Sequence, residues 1–353
     1  MKGIILHGGH GTRLRPLTHT GPKQLLPIAN KPMSEYCIES MRDAGVTEVA
    51  IIIGGVGSQK VIEYYGDGIR FGMKFIYIEQ DYPRGIAHAI NLCKHFINNE
   101  KFLVFLGDNI IQKSIREFAI DFQNSNADAK ILLCEVDNPS RFGIADIKEK
   151  KILKILEKPK NPPSNLAVTG IYFLTPKIFD VIDNLKPSWR NELEITDALD
   201  ELLQQNNEIT YDIITDYWKD TGTPEDIINA NNEILEKINP IFLGEKENDV
   251  IFEGNIVVHD GTKIGKNVKL IGPIIIGKNC IIGKDSKLGP NISIGDNCFI
   301  ENSKISNSII MSDCEISDCD NIFNSIIAYN SHIKHNKNKN KVLLLGEGTR
   351  ISL

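Results

Sequence analysis

The stretches GIILHGGHGTRLRP (residues 3–16) and PKQLLP (residues 22–27) decide how the first part of this chain folds. A short apolar run ends in a cluster of glycines, and a threonine, two arginines and a lysine follow. Glycines let backbone N–H groups approach an anion closely, and Arg and Lys side chains carry charge for phosphate oxygens. The pattern predicts a polyphosphate site at the carboxyl end of the first strand of an α/β sheet.

The glycine spacing excludes the two commonest phosphate-binding loops. A Rossmann fingerprint has the pattern G-x-G-x-x-G, and a Walker A loop places G-K-[ST] after four intervening residues. Neither pattern occurs in this stretch. An ordinary strand–turn–helix with solvated arginines would explain any single glycine, but it does not explain the whole block.

Length, composition and charge set broad limits. The chain has 353 residues, enough for two domains, and a hydrophobic content of 41% that is ordinary for a globular protein. Its net charge of −6 argues against a general nucleic-acid binder, which usually presents a basic face. No apolar run is long enough for a membrane-spanning helix, and the apolar residues of 1–6 are too few for a signal peptide. We therefore expect a cytoplasmic protein with neither nucleic-acid nor membrane partners.

The cysteines indicate neither disulfides nor zinc. There are seven, scattered along the chain and never in C-x-x-C spacing. We expect reduced thiols that serve packing.

Apolar runs and helical patterns alternate over the first 230 residues or so. Buried strands are predicted at Ile4–Leu6, Val49–Ile53, Phe75–Ile78, Phe102–Leu106 and Ile131–Cys134. Helices are predicted at Ser34–Ala44, Gln59–Tyr65 and Ile86–Ile97. This alternation predicts a mostly parallel sheet with helices on both faces, in which ligands bind beyond the carboxyl ends of the strands. Three informative segments fall there: Gly8–Arg13, Glu79–Gln80 and Leu106–Asn109.

A different pattern begins near residue 250. Apolar residues recur every six positions, at Val258, Ile264, Leu270, Ile276, Ile282, Leu288, Ile294 and Ile300. The step then loosens to five or six, at Ile305, Ile310, Ile316, Ile322, Ile327 and Ile333. This period is typical of a parallel β-helix in which each face of a triangular coil contributes one inward aliphatic residue.

Three shorter segments complete the chain. A helix over Asn229–Asn239 is expected to link the two regions. The charged, low-complexity stretch Lys334–Lys341 predicts a solvated loop. The apolar run Val342–Leu345 predicts a strand that caps the last coil.

Two aspartates are candidate magnesium ligands. Asp108 follows the apolar run Phe102–Leu106, and Asp220 lies in the stretch WKDTGT. A carboxylate beside a phosphate site can hold Mg²⁺, which prefers oxygen ligands and keeps several waters. From spacing alone, Asp108 could equally cap the next helix, and Asp220 could be a turn residue.

The chain as a whole resembles the sugar-1-phosphate nucleotidylyltransferases, and among them the long form of the glucose-1-phosphate thymidylyltransferases, which carries a hexapeptide β-helix. The matching motifs, in the family's order, are GGHGTRLRPLT, GPKQLLPIANKPM, YIEQ, GIAHA, LGDN, PSRFGIA, EKP, NLAVTGIYF, ELEITDAL and WKDTGTPED. The resemblance implies a Rossmann-like, mostly parallel α/β nucleotidyltransferase domain over residues 1–240. A left-handed parallel β-helix would follow over residues 241–353.

The resemblance also implies site residues. Nucleotide contacts would come from Gly8, Gly9, Gly11, Thr12, Arg13, Lys23, Gln24, Gln80, Pro83, Gly85, Asp108 and Asn109. The sugar phosphate would be held by Gly143, Glu157, Lys158, Thr169 and Tyr172, and Mg²⁺ by Asp108 and Asp220. The catalytic cations would be Arg13, Lys23 and Lys158. His7 and His10, which stand where the family often has smaller residues, would be loop residues beside the phosphates.

The implied reaction transfers a thymidylyl group from dTTP to glucose 1-phosphate with release of pyrophosphate. Because the attacking phosphate oxygen is already anionic, positioning and charge neutralisation matter more than a strong base, and no covalent intermediate is expected. Three alternatives remain open: another nucleotide or hexose phosphate, a second acyltransferase activity in the β-helix, and an inactive regulatory subunit. We expect the β-helix to mediate a homo-oligomer, a trimer or else a tetramer.

Overall fold

The computed structural model describes residues 1–8 and 11–335. Its internal contacts divide the chain into two compact units. The first unit comprises Met1–Gly11, Thr18–Leu25 and Met33–Asp220. The second comprises Thr12–Leu17, Leu26–Pro32 and the described residues from Thr221 to His335. Two short segments near the amino terminus therefore fold with the carboxyl-terminal part of the chain, while the domain boundary at residue 240 stays a prediction.

The elements up to residue 220 alternate between strands and helices. Their bounds are β1 Lys2–Leu6, β2 Pro27–Ile28, β3 Lys31–Pro32, α1 Met33–Asp43, β4 Glu48–Ile53, α2 Ser58–Tyr65, β5 Lys74–Glu79, α3 Ile86–Asn91, α4 Lys94–Ile97, β6 Phe102–Leu106, β7 Asn109–Ile111, α5 Arg116–Asn124, β8 Ala129–Glu135, β9 Gly143–Lys148, β10 Lys151–Glu157, β11 Leu166–Leu174, α6 Lys177–Asn184, α7 Ile195–Gln204, β12 Ile209–Ile214 and β13 Trp218–Asp220. Short 3₁₀ turns lie at Thr12–Leu14, Lys23–Leu25, Ile69–Phe71 and Pro139–Arg141.

The first unit is built on a nine-stranded sheet in the order β10-β9-β11-β6-β1-β4-β5, with β8 beside β11 and β12 beside β8. Strands β6, β1, β4 and β5 run parallel, as do β8 and β12, whereas β9, β10 and β11 pair antiparallel with their neighbours. The α/β fold class is therefore confirmed, with an antiparallel portion that apolar periodicity did not reveal.

Burial on both faces explains why the central strands are continuous apolar runs. Along β1, Ile4 belongs to the core on one face of the sheet and Ile5 to the core on the other. Both residues are fully buried. The parallel register aligns Leu6 with Ile52 and Leu106, so that the chain leaves these strands at a common edge.

The predicted elements match the observed ones with two differences in the helices. The segment Ile86–Ile97 is broken between α3 and α4, where the Cys93 N–H bonds to the Ile90 carbonyl three residues back at 2.9 Å. The predicted linking helix instead spans Pro224–Leu235, which we call α8. It begins early because Thr223 and Asp226 form a capping box and Pro224 occupies the first turn.

The remainder of the second unit is a stack of short strands. Their bounds are β14 Ile241–Phe242, β15 Glu245–Lys246, β16 Ile251–Glu253, β17 Ile256–Val258, β18 Lys263–Ile264, β19 Lys269–Ile271, β20 Ile274–Ile276, β21 Ile281–Ile282, β22 Lys287–Leu288, β23 Ile292–Ile294, β24 Phe299–Glu301, β25 Lys304–Ser306, β26 Ser308–Ile310, β27 Glu315–Ser317, β28 Ile322–Phe323, β29 Ile326–Ile327 and β30 His332–Lys334.

Each of the strands β14–β27 pairs in parallel with the strand three places later, which makes three sheets of stacked strands. The architecture is a parallel β-helix consistent with the left-handed type. The eight apolar residues at the strict six-residue period are all buried. Lys334 ends β30. Residues 336–341 of the predicted loop and the predicted capping strand Val342–Leu345 lie outside the described residues.

Asn and Asp residues form the corners of the coils. Asn297 and Asp313 adopt φ values of 57° and 63°, in the left-handed region that Asn and Asp tolerate better than most residues. The two side chains pair across adjacent coils, with Asn297 Nδ2 donating to Asp313 Oδ1 at 3.0 Å. Asn302 donates to Asp318 in the same way at 2.9 Å. All seven cysteines are free, as expected.

Candidate active site

The edge where β1 and β6 end brings together the residues that follow these two strands. The Gly107 N–H donates to the Leu6 carbonyl at 3.0 Å, which holds the residues after β6 against those after β1. Gly8 follows directly, whereas Gly9 lies outside the described residues together with His10.

His7 lies in the loop directly after β1, but its side chain is buried, and its place beside the phosphates stays a prediction. It is 1% exposed and packs edge-on against Tyr65, with ring centroids 5.7 Å apart. Neither ring nitrogen has a hydrogen-bond partner among the described residues. Burial lowers the pKa of His7 to about 3, against a smaller opposing influence of Asp108, so the imidazole is neutral near pH 7.

Lys23 and Asp108 form an ion pair at this edge. Both side chains are largely buried, at 17% and 20% exposure. Burial would raise the pKa of Asp108, but the Lys23 ammonium and hydrogen bonds from Lys23 and Asn109 hold that pKa below its ordinary value. The carboxylate is therefore charged at neutral pH and faces a cation.

Asn109 fixes the orientation of that carboxylate. Its Nδ2 donates to Asp108 Oδ1 at 2.9 Å, while its Oδ1 accepts from Trp218 Nε1 at 2.8 Å and from the Gly170 N–H at 3.2 Å. Gly170 must lack a side chain, because a Cβ there would lie 2.7 Å from Asn109 Nδ2. The sequence motif assigned Asn109 to the nucleotide, and the structure gives it this second role behind Asp108.

Asp220 reaches the same edge through a two-stranded ribbon. Strand β13 pairs antiparallel with β7, which sets Asp220 opposite Asn109. Because a strand rather than a helix follows Asp108, the helix-cap interpretation of that residue is wrong. Within the described ranges, no cluster of three or more His, Cys, Asp or Glu side chains could enclose a metal ion. A pair of carboxylates nevertheless suits Mg²⁺, which binds through one or two carboxylates plus substrate phosphates and water.

A cavity of about 210 Å³ opens beside Asp108. Seven residues predicted for the site line it, namely Asp108, Asn109, Gly143, Glu157, Lys158, Tyr172 and Asp220. Lining residues outside the predicted set include Arg141, Phe142, Arg190, Glu192, Glu194, Thr196 and Trp218. Two of these additions fall in the motif PSRFGIA, three in ELEITDAL and one in WKDTGTPED, so motif membership was the signal that could have found these six.

Glu157 contacts three side chains that line the cavity. Its Oε1 lies 3.2 Å from Lys158 Nζ and 3.3 Å from Arg190 Nη1, and its Oε2 accepts from Thr196 Oγ1 at 3.0 Å. Arg190 also contacts Glu192 and Glu194. Burial, and then the nearby Glu157, raises the pKa of Glu194. Two cations, Lys158 and Arg190, are thus held among carboxylates in the lining of the cavity.

The remaining predicted sugar-binding residues are tightly packed. A Cβ at Gly143 would lie 2.4 Å from Thr196 Cγ2, so that position requires glycine. Tyr172 is 3% exposed and borders the cavity. Thr169 is fully buried, and its Oγ1 has no partner among the described residues.

The residues predicted to read the base gather near Gly8. Gln24 Nε2 donates to the Gly8 carbonyl at 3.2 Å, and a Cβ at Gly8 would lie 3.3 Å from Gln80 Oε1. Gln80 Nε2 lies 2.9 Å from His88 Nδ1. Burial and the nearby Arg84 lower the pKa of His88, so its neutral ring can accept this hydrogen bond.

Three further predicted nucleotide-binding residues lie in exposed turns, and two more are glycines with positive φ. Thr12 and Arg13 belong to the 3₁₀ turn of the second unit. Pro83 is exposed ahead of Gly85, whose φ is 104°. A Cβ at Gly85 would lie 2.4 Å from the Leu193 carbonyl oxygen, so only glycine fits there. Gly11 has a φ of 55°.

Comparison with known proteins settles the family. The model of the nucleotidyl transferase family matches residues 2–237, which is more than half of the chain. The chain belongs to the nucleotidyl transferase family. A second family model, described as the GMPPB C-terminal domain, matches residues 270–352 of this nucleotidyl transferase.

Individual relatives carry different names. This nucleotidyl transferase is 38% identical to the low-salt glycan biosynthesis nucleotidyltransferase Agl11 of Haloferax volcanii, over 100% of both chains. It is 36% identical to a glucose-1-phosphate thymidylyltransferase of Streptomyces griseus, over 93% of this chain and 92% of the relative. A crystal structure of a putative glucose-1-phosphate thymidylyltransferase from Bacillus anthracis in complex with a sucrose matches at 42% identity and a TM-score of 0.64, covering 69% of this chain and 98% of that one.

None of the helices in the described ranges has the length and the apolar character needed to cross a bilayer.

Proposed function

We propose that this nucleotidyl transferase transfers a thymidylyl group from dTTP to glucose 1-phosphate, forming dTDP-glucose and pyrophosphate. The proposal is carried by the cavity that Asp108 and Asp220 line together with Glu157 and Lys158, next to the ion pair of Asp108 with Lys23. Two relatives named for this activity, one curated and one solved, support the choice of substrates.

The reaction balances without an added base. An oxygen of the glucose phosphate attacks the α-phosphorus of dTTP, a new P–O bond forms, and the bond to the β-phosphate oxygen breaks in line. Pyrophosphate leaves with that electron pair. The protein must hold both phosphates close and offset their charge. Lys158 would meet the sugar phosphate, Lys23 the α-phosphate and Arg13 the phosphates of the nucleotide.

The two carboxylates at the strand edge suit the magnesium that this chemistry requires. Asp108 and Asp220 would hold it, with phosphate oxygens and water as the other ligands. When bound, Mg²⁺ offsets charge on the transferring and leaving phosphates. In the free protein Lys23 donates a hydrogen bond to one oxygen of Asp108, and Asn109 donates to the other. The carboxylate is therefore oriented before substrate binds.

Recognition of the sugar would rest on Glu157. A carboxylate can accept hydrogen bonds from two sugar hydroxyls, and the Thr196 hydroxyl and Lys158 already keep this one in place. Gly143, Thr169 and Tyr172 would complete the sugar site. Arg190, which borders the cavity between Glu157 and Glu194, would supply further charge to the sugar phosphate.

Recognition of the base would rest on Gln80 and on the backbone at Gly85, with Pro83 and Gln24 beside them. Thymine and uracil differ by one methyl group, which is worth about 10- to 100-fold in discrimination. We therefore expect UTP to be used more slowly than dTTP. As in the long form of these enzymes, the β-helix would mediate assembly into a trimer, or else a tetramer. Light scattering would measure the mass of that oligomer.

A substrate matrix tests the proposal. Pyrophosphate release with Mg²⁺ is measured for dTTP, UTP, ATP, GTP and CTP against the 1-phosphates of glucose, galactose, mannose and N-acetylglucosamine. The highest kcat/KM is expected for dTTP with glucose 1-phosphate. Preference for another pair would refute these substrates while retaining the reaction class. No turnover with any pair would instead favour a regulatory subunit.

A further inference from the structure

One sheet of the β-helix exposes side chains that are apolar at its centre and charged towards both ends. The sheet has six strands, β15, β18, β21, β24, β27 and β30, one from each successive coil. Because successive residues of a strand point to opposite sides, Ile282 is buried in the core whereas the adjacent Ile281 is 50% exposed. The outward residues in register with Ile281 form what we call the outer column: Glu245, Lys263, Ile281, Phe299, Glu315 and His332.

A second outward row lies two residues further along the chain in each coil. Its members are Glu247, Gly265, Gly283, Glu301, Ser317 and Lys334. From the first coil to the sixth, the charge carried by the two rows is negative, positive, absent, negative, negative and positive. Read from the sixth coil back to the first, the charged ends show the same order with the signs reversed.

This order of charges suits a second copy of the chain that runs in the opposite direction. In that antiparallel arrangement the first coil of one chain faces the sixth of the other, the second faces the fifth, and the third faces the fourth. Lys263 would lie opposite the partner's Glu315, and Ile281 opposite the partner's Phe299. Every charged coil would then face either the opposite charge or a neutral coil, which is the complementarity that specific interfaces show.

A parallel second copy would be repelled by the same residues. Each coil would then face its own equivalent, with Lys263 opposite the partner's Lys263 and Glu315 opposite the partner's Glu315. Like charges set against each other across an interface oppose association. The charges of the face therefore select the antiparallel direction.

The other two sheets of the β-helix lack this property. Helix α8 packs on one of them, where the Ser293 hydroxyl of β23 donates to Asn231 at 2.8 Å. The other presents Lys269, Lys287 and Lys304 in register on consecutive coils. A second copy on that sheet would bring lysines together in either direction.

We propose that the sheet with the outer column is a two-fold, antiparallel contact between two copies of this chain. Ile281 and Phe299 form its apolar centre, and a pair of Lys263 with the partner's Glu315 lies on each side of that centre. Because a two-fold contact joins chains in pairs, it favours the tetramer over the trimer. The contact does not depend on which substrates the enzyme uses, so it can fail without the proposed function failing.

The contact concerns association and not the fold of each chain. The outer column is solvated when the chains are apart, so its variants should change the mass of the assembly. The unfolding free energy of the dissociated chain should change little, because only binding to the folded state couples the two quantities.

Reversal of the charges tests the contact on the full chain. Lys263→Glu and Glu315→Lys each set like charges opposite one another at two symmetry-related places. Light scattering over a range of protein concentrations should show that either variant halves the mass of the wild-type assembly. The dissociation constant of the contact should rise at least about 10-fold. Lys287→Glu, an exposed lysine on another sheet, is the matched control and should leave the mass unchanged.

Two combinations distinguish the antiparallel contact from a general effect of surface charge. A chain that carries both Lys263→Glu and Glu315→Lys regains opposite charges at every pair and should recover the wild-type mass. An equimolar mixture of the two single variants should also recover it, because Glu at position 263 of one chain then faces Lys at position 315 of the other. Circular dichroism confirms that each variant is folded.

Four results would overturn the inference. A wild-type chain that is monomeric at every concentration, or trimeric, has no such two-fold contact. Single variants that keep the wild-type mass would show that the outer column faces solvent in the assembly. A loss of mass that neither the double variant nor the mixture restores would show that Lys263 and Glu315 do not face each other. The same loss with Lys287→Glu would show that the effect is not confined to this sheet.

Discussion

The strand ends around Asp108 differ from the coils of the β-helix in how buried positions are used. At the strand ends, unlike polar groups converge, and Lys23, Asp108, Asn109 and Trp218 each have a partner of a different kind. In the β-helix, the inward positions are aliphatic, and corner residues such as Asn297 pair with a related residue one coil away. In the proposed function the first arrangement serves chemistry at one place, whereas the second serves stability along a repeat.

This difference predicts that substitutions at the strand ends reduce activity more than stability, and that substitutions in the coils do the reverse. The sharpest test at the strand ends is Asp108→Asn. It removes the charge that pairs with Lys23, and we expect kcat/KM to fall about 10²- to 10³-fold, the scale of a lost electrostatic contact in catalysis. Steady-state kinetics of pyrophosphate release measures the change. Asp121→Asn, an exposed carboxylate that pairs with Lys130, is the control and should retain activity.

In the β-helix, Ile282→Ala should have the opposite effect. Ile282 is fully buried in the inward column, and truncating such a residue costs about 2–5 kcal/mol of unfolding free energy. Urea denaturation checks the loss, and activity measured well below the transition should stay within about twofold. Replacement of the neighbouring exposed Ile281 by Ala is the matched control. A large loss of activity without a loss of stability would contradict the comparison.

Glu157→Gln tests the sugar end of the cavity separately. The amide keeps the shape but loses the charge and one acceptor oxygen, which is worth about 1.5–3 kcal/mol for a charged hydrogen bond. The KM for glucose 1-phosphate should rise at least about 10-fold, while the KM for dTTP should change little. A rise confined to the KM for dTTP would show that Glu157 contacts the nucleotide and not the sugar.

His7 predicts a pH dependence of stability at the strand ends. Its pKa is about 3 in the folded protein and 6.5 when exposed, so the unfolded chain binds more protons between these values. Stability should therefore fall as pH drops below 6.5, by up to about 1.4 kcal/mol per pH unit, with no contribution from this residue above that range. Urea denaturation without ligands, compared with His7→Asn, isolates the slope. Equal pH slopes in the two proteins would mean that His7 is solvated when folded.

Much of this comparison could be predicted from local patterns. The six-residue period from Val258 to Ile300 identified the β-helix, since every coil repeats the same constraint. Asp108 was singled out as a candidate because it follows a buried strand, and its role in the site stays a prediction. By contrast, the ion pair of Lys23 with Asp108 joins residues 85 apart in sequence, and the bond between Ala29 and Asn231 joins residues 202 apart. Such long-range pairings leave no periodic signal, so neither the buried His7 nor the place of the hairpin formed by β2 and β3 could be read from the chain.

The most direct measurement of nucleotidyl transfer uses dTTP radiolabelled at the α-phosphate. With glucose 1-phosphate and Mg²⁺, the wild-type chain should move the label into a dTDP-sugar in step with pyrophosphate release. Without the sugar phosphate, no label should appear on the protein. Lys23→Met should slow the transfer by at least about 10²-fold, since Lys23 would neutralise the α-phosphate. Labelled protein formed from dTTP alone, or label recovered only as dTMP, would contradict direct transfer between the two substrates.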